Sequence, residues 1–253
     1  MIEFLIGFVV ALFATTAVSV AYFYRDPDRT IPKVTGEVLS PADGTVISIR
    51  RYKAGVVPTI NKDGRFYSLE ELTQSNLLDS DGVIISIHVS PFDVHIVQAP
   101  ISSEIKYIAR ISGGLKFMRD PRFEFTNERV SLILESNSIR IGLVIVGAPI
   151  ASSVKTLVEP KSHVTAGQRI ASIRLGSLVS LILPYGVELN VGCGSKVVGG
   201  LTLLAERLTQ NSNHVLKDCY TPVKTTMWQR FYLLFLATYS VARRAVGLMA
   251  GYK

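Results

Sequence analysis

The chain has 253 residues, 48% hydrophobic and 19% charged, with a net charge of +7. This balance excludes a disordered chain and leaves length for one large or two small domains with a real core. The basic excess suits nucleic acid or anionic lipid, and because no nucleic-acid-binding module accompanies it, the membrane surface is favoured.

From Phe4 to Tyr24 the chain carries no charge, long enough to cross a hydrocarbon core of roughly 30 Å as a helix. The leading Met-Ile-Glu lacks the positive charge of a signal peptide. Tyr22, Phe23 and Tyr24 form an aromatic edge followed by Arg25, Arg29 and Lys33, which predicts a transmembrane anchor over 1–24 with the rest on the cytoplasmic side of the cell membrane.

Residues 25–206 read as one mainly β domain (α+β), a barrel-sandwich-like core with few helices. Val83–Val89, Leu143–Val146 and Leu181–Leu183 are apolar runs of strand length. Ser68-Leu69-Glu70-Glu71 is a capping box that predicts one helix start. Val164-Thr165-Ala166-Gly167 before Ile170 and Val197-Val198-Gly199-Gly200 before Leu203 repeat a V-x-x-G-x-x-I/L pattern 33 residues apart. The pattern resembles the strand–glycine-turn units of biotinyl and lipoyl carrier domains, without the lysine a carrier needs. Cys193 and Cys219 form no CxxC pair and read as two ordinary thiols. In 207–253, Phe231–Ala242 is apolar but too short to span, and Trp228, Arg230, Arg243 and Arg244 flank it. That predicts an amphipathic helix lying at the membrane interface or docked on the protein.

No H-x-x-x-H pair, P-loop or complete dinucleotide fingerprint occurs, so no metal site is expected. Three segments are chemically suggestive: Ser40-Pro41-Ala42-Asp43-Gly44, Ser90-Pro91-Phe92-Asp93-Val94-His95 and Leu175-Gly176-Ser177. Each alone has an ordinary explanation, respectively a turn dipeptide, a core histidine and a bulge.

Taken in order, with Phe23-Tyr24-Arg25-Asp26-Pro27-Asp28-Arg29-Thr30-Ile31-Pro32 ahead of them and Asn127-Glu128-Arg129 between them, they resemble the phosphatidylserine decarboxylases, mostly the short forms. The resemblance implies a zymogen that cuts itself between Gly176 and Ser177 into chains 1–176 and 177–253. Ser177 would become a pyruvoyl group, which takes the substrate amine as a Schiff base and serves as electron sink for decarboxylation. It implies Asp43 and His95 as the carboxylate–histidine pair assisting cleavage, and His95 as the acid of the decarboxylation. Long forms often carry a second histidine where this chain has Gln98, which leaves His88 as an auxiliary candidate. Phosphatidylserine in a membrane is the implied substrate and phosphatidylethanolamine the product; a homodimer is suggested by analogy alone. Two other readings remain: a decarboxylase of an archaeal-type ether lipid with a serine headgroup, and a non-enzymatic membrane-anchored adaptor with a barrel-sandwich domain.

Overall fold

Along Gly82–Val89 (β5), Val83, Ile85, Ile87 and Val89 enter one apolar cluster, while Ile84 joins a second on the opposite face. Ser177–Pro184 (β13) pairs with it antiparallel, Leu181 opposite Ile85 and Leu178 opposite His88. Here Val179, Leu181 and Leu183 serve the first cluster, Leu178 and Ile182 the second. Burial on both faces explains why these strands read as nearly continuous apolar runs. Each such buried side chain contributes about 1.5–3 kcal/mol.

These strands lie in a computed structural model that describes residues 2–78, 80–114, 116, 120, 122–137, 139–147, 154–174, 177–206 and 218–222, with Leu5, Phe8, Val9, Ile60 and Ser177 described by backbone alone. The main sheet runs in the order His163–Val164 (β11), Ser103–Ile111 (β7), Arg129–Ser136 (β8), Ile139–Val146 (β9), β13, β5, Gly44–Tyr52 (β2), Lys196–Val197 (β14), and Cys219–Tyr220 (β16) also pairs with β2. Val154–Thr156 (β10), Arg169–Ile173 (β12) and Ile96–Gln98 (β6) form a three-stranded sheet; Val38–Leu39 (β1) pairs with Leu203–Ala205 (β15), and Val56–Ile60 (β3) with Phe66–Ser68 (β4). The described helices are Ile2–Phe23 (α1), Leu69–Thr73 (α2) and Phe123–Thr126 (α3). The protein is mainly β with few helices, as the strand-length runs predict.

The capping box forms: Ser68 Oγ accepts from the Glu71 amide at 3.0 Å, and the Ser68 amide donates to Glu71 Oε2 at 2.8 Å. The Asn127-Glu128-Arg129 triplet is a fastening. Buried Arg129 donates to the carbonyls of Glu71, Leu72 and Phe125, which ties α2 and α3 over the second cluster. The sequence repeat is a structural one. Gly167 (φ 78°) and Gly200 (φ 70°) each turn the chain between two short strands, and a Cβ on either would press into Ile31.

Three expectations fare differently. Cys193 and Cys219 are not free thiols but a disulfide, Cα–Cα 6.1 Å. β14 and β16 both pair with β2, which brings their neighbouring cysteines within bridging range, a proximity that spacing along the chain does not reveal. For the anchor, among the described residues no helix is long and apolar enough to cross a membrane, three side chains of the 22-residue α1 lying outside them. Phe231–Ala242, predicted as an interfacial or docking helix, lies outside the described residues.

Candidate active site

Gly44 opens β2 where a Cβ would collide with the His88 carbonyl at the far end of β5. Only glycine lets the Ser40–Gly44 turn come that close. The turn is fixed from both sides: Gly200 donates its amide to the Ser40 carbonyl and Gln98 donates its amide to the Pro41 carbonyl, each at 2.8 Å.

At the same end of the sheet, β5 leads into the loop Ser90–His95. The Ser90 amide donates to Asp93 Oδ2 at 2.8 Å and the Asp93 amide to the Ser90 carbonyl at 3.0 Å, a side-chain-braced turn that makes Asp93 a loop-building carboxylate. One end of this loop, Val89, pairs with Ser177. At its other end the His95 carbonyl accepts the Ile173 amide at 2.8 Å. Ile173 and Ser177 thus meet the two ends of the histidine loop. Leu175 and Gly176 lie outside the described residues.

His95 is 3% exposed, and neither ring nitrogen has a hydrogen-bond partner. The Phe23 ring lies on it, centroids 3.9 Å apart at 33°. Burial pushes the imidazole's affinity for a proton down to about 4. Asp93 opposes this through its main chain, close but not in hydrogen-bonding geometry, and through its carboxylate; Arg25 reinforces it, and Asp43 opposes it weakly. His88 faces the second cluster opposite Leu178 and Thr45, and burial lowers it to about 4 as well, Asp93 opposing and Lys196 reinforcing. Gln98 is 5% exposed, and its Oε1 has no partner.

Asp43 makes no hydrogen bond to His95. Its carboxylate is taken by the Arg29 fork, at 2.7 and 2.8 Å, and by the Gly199 amide at 2.8 Å. Planar guanidinium and carboxylate match two bonds at once, an arrangement a single imidazole N–H does not equal. Arg29 belongs to a strap that crosses the site. Arg25 donates to the Phe92 carbonyl at 2.6 Å, Arg169 pairs with Asp26 and Asp28, and Ile31 fills the space over Gly167 and Gly200. Sequence reasoning missed Arg29 and Phe23 as site residues, because basic and aromatic residues after an apolar run read first as membrane flank. The alternation of acid and base in Arg25-Asp26-Pro27-Asp28-Arg29 was the available signal for a folded, ion-paired segment. Among the described residues no group of three His, Cys, Asp or Glu side chains could hold a metal ion.

A family model described as phosphatidylserine decarboxylase matches residues 17–205. A Methanocaldococcus jannaschii protein named "Putative archaetidylserine decarboxylase proenzyme" is 36% identical over 190 residues, 75% of this chain and 90% of its own. The phosphatidylserine decarboxylase proenzyme of Zymomonas mobilis is 35% identical over 188 residues, 74% of this chain and 71% of its own. That of Nitrosomonas eutropha is 31% identical over 207 residues, 81% and 86% of the two chains.

Proposed function

This chain belongs to the phosphatidylserine decarboxylase family, and we propose that it is a self-processing, membrane-held enzyme whose cofactor derives from Ser177. Membership makes it a carboxy-lyase that releases carbon dioxide from phosphatidylserine and leaves phosphatidylethanolamine, and it removes the adaptor reading. The observation that carries the site assignment is His95, buried without a hydrogen-bond partner on the loop whose two ends hold the chain either side of Gly176.

In self-cleavage, Ser177 Oγ attacks the Gly176 carbonyl carbon and its proton passes to a base. The C–N bond breaks, the nitrogen takes a proton, and the peptide becomes an ester. Loss of the residue-177 α-proton then expels the Gly176 carboxylate, and one water converts the remaining enamine end to a ketone and ammonia. His95, neutral in its buried setting, is the base assigned to this work. A ketone at residue 177 supplies the electron sink that accepts the electron pair left by carbon dioxide. The site suits such a group in that the unsatisfied N–H of a neutral His95 is a donor from which a ketone oxygen could accept. A substrate carboxylate brought beside His95 would raise its proton affinity, so the same ring can carry the proton that replaces carbon dioxide. Asp43 acts at one remove, holding Arg29 and the Gly199 turn. His88 and Gln98 are the auxiliary candidates.

The anchor reading rests on α1. It has 22 residues with Glu3 its only charge, and Phe4, Ile6, Val10, Leu12, Phe13 and Val18 are exposed. At 1.5 Å per residue it reaches about 33 Å. Arg25, Arg29 and Lys33 support a cytoplasmic catalytic part, whereas the disulfide argues for an oxidising compartment. Labelling of intact cells with an impermeant lysine reagent separates the two. The M. jannaschii relative favours a second substrate reading, an ether lipid with a serine headgroup; turnover of both lipids in matched vesicles distinguishes them.

The main test is intact mass under denaturing conditions. Two chains are expected, 1–176 and 177–253, the second with a blocked amino end, and Ser177→Ala should yield one inactive chain. A single uncleaved species in an active preparation would overturn the mechanism.

A further inference from the structure

Among the described residues of α1, Phe23 alone is buried. It is 0% exposed although it is the last residue of a helix whose other described large side chains mostly face outward. Its neighbours show the contrast: Tyr22 is 48% and Tyr24 47% exposed. Phe23 lies on the ring of His95, at 3.9 Å between centroids. The two rings are tilted by 33°, so the aromatic face covers the imidazole rather than touching it edge-on. The chain that follows is pinned in place. Arg25 donates to the Tyr22 carbonyl at 2.8 Å and to the Phe92 carbonyl at 2.6 Å, which joins the helix end to the loop carrying His95. Phe23 in turn meets Tyr24 edge-on at 5.0 Å.

We propose that Phe23 is a positioning residue for His95, a wall that fixes the imidazole plane and keeps water from it, so that the end of the N-terminal helix is part of the active-site structure. This rests on the assignment of His95 above. An imidazole with no hydrogen bond at either nitrogen has only packing to hold its orientation. A flat apolar ring against it supplies that packing and excludes water, which disfavours the charged form. The charged groups around the histidine are Asp93 on its own loop, Arg25 after α1 and Asp43 before β2; Phe23 is the neutral wall among them. The helix therefore does more than tether: pulling its last turn away would open the histidine to water.

The test uses the full-length processed protein in lipid nanodiscs with ring-labelled histidine, and His163, exposed on β11, as internal reference. Phe23→Leu keeps apolar bulk but loses the ring. The His95 ring-proton resonances should lose the ring-current displacement that Phe23 imposes, while those of His163 stay. Phe23→Ala admits water, and the His95 titration midpoint should rise by about one pH unit or more, the acid limb of the kcat profile moving with it and KM changing less. Unmoved His95 resonances in Phe23→Leu overturn the proposal even if Phe23→Ala fails to fold. An unmoved His95 midpoint in Phe23→Ala overturns it as well. Full activity in His95→Gln would instead sink the assignment of His95, while leaving the ring packing, read from the resonances, to stand or fall separately.

Discussion

His95 is a titratable side chain held without hydrogen bonds in an apolar wall, and that has a thermodynamic consequence. Its folded proton affinity, about 4, lies below the ordinary 6.5, so the unfolded chain binds the proton more tightly. The stabilisation is therefore fully present above about pH 6.5 and is lost as pH falls toward 4, by about 3 kcal/mol at the limit. Urea unfolding from pH 7 to 4 should show this fall, and His95→Gln should flatten it in part; His88, lowered for the same reason, keeps the remainder. Asp43 makes a different prediction. Removing it leaves Arg29, 11% exposed at its side chain, without its carboxylate. Asp43→Asn should cost about 2–3 kcal/mol in thermal unfolding, and adding Arg29→Met should recover much of that loss. At this scale the sequence pointed to candidate residues but not to whom they touch. Asp43 and His95 were singled out as candidates by their motifs, yet their expected pairing is not made, because the competing partner, Arg29, comes from a segment that sequence pattern assigned to the membrane flank.

The elements were more legible than the contacts between them. The β-branched runs became β5, β9 and β13 because alternation and burial on two faces constrain residue type strongly. The Ser68–Glu71 box forms because it needs only local geometry. The repeated glycine turns were visible for the same reason, but what they make room for was not: Ile31 at Gly167, and Gln98 together with Ile31 at Gly200, all distant in sequence. The disulfide was misjudged as two thiols because only the pairing of β14 and β16 with β2 brings the sulfurs together. Cys219→Ser should lower stability by about 3–4 kcal/mol for a closed loop of this size. Denatured, unreduced protein should show no thiol to a maleimide probe; two reactive thiols would count against the bridge.

Across the whole molecule, Ser177, at the proposed cleavage position, opens a strand in the middle of the sheet. β13 lies between β5 and β9, and β14, β15 and β16 pair with β2 and β1. After cleavage the 177–253 chain would thus contribute strands whose partners belong to 1–176. Both cysteines lie in the 177–253 chain, so no covalent link would join the two products. The processed chains should co-elute under native conditions with or without reductant and separate only in denaturant. Separation in native buffer would contradict this interleaving. The sequence by itself determined the family, the mainly β character and the order of the motifs, since local alternation, turn chemistry and motif order are properties of the chain. Only the tertiary structure decided that Arg29 takes Asp43, that Phe23 lies on His95, and that Ile173 and Ser177 meet the two ends of the histidine loop. Those are meetings of residues distant along the chain, set by strand register and side-chain packing rather than by any one segment's composition.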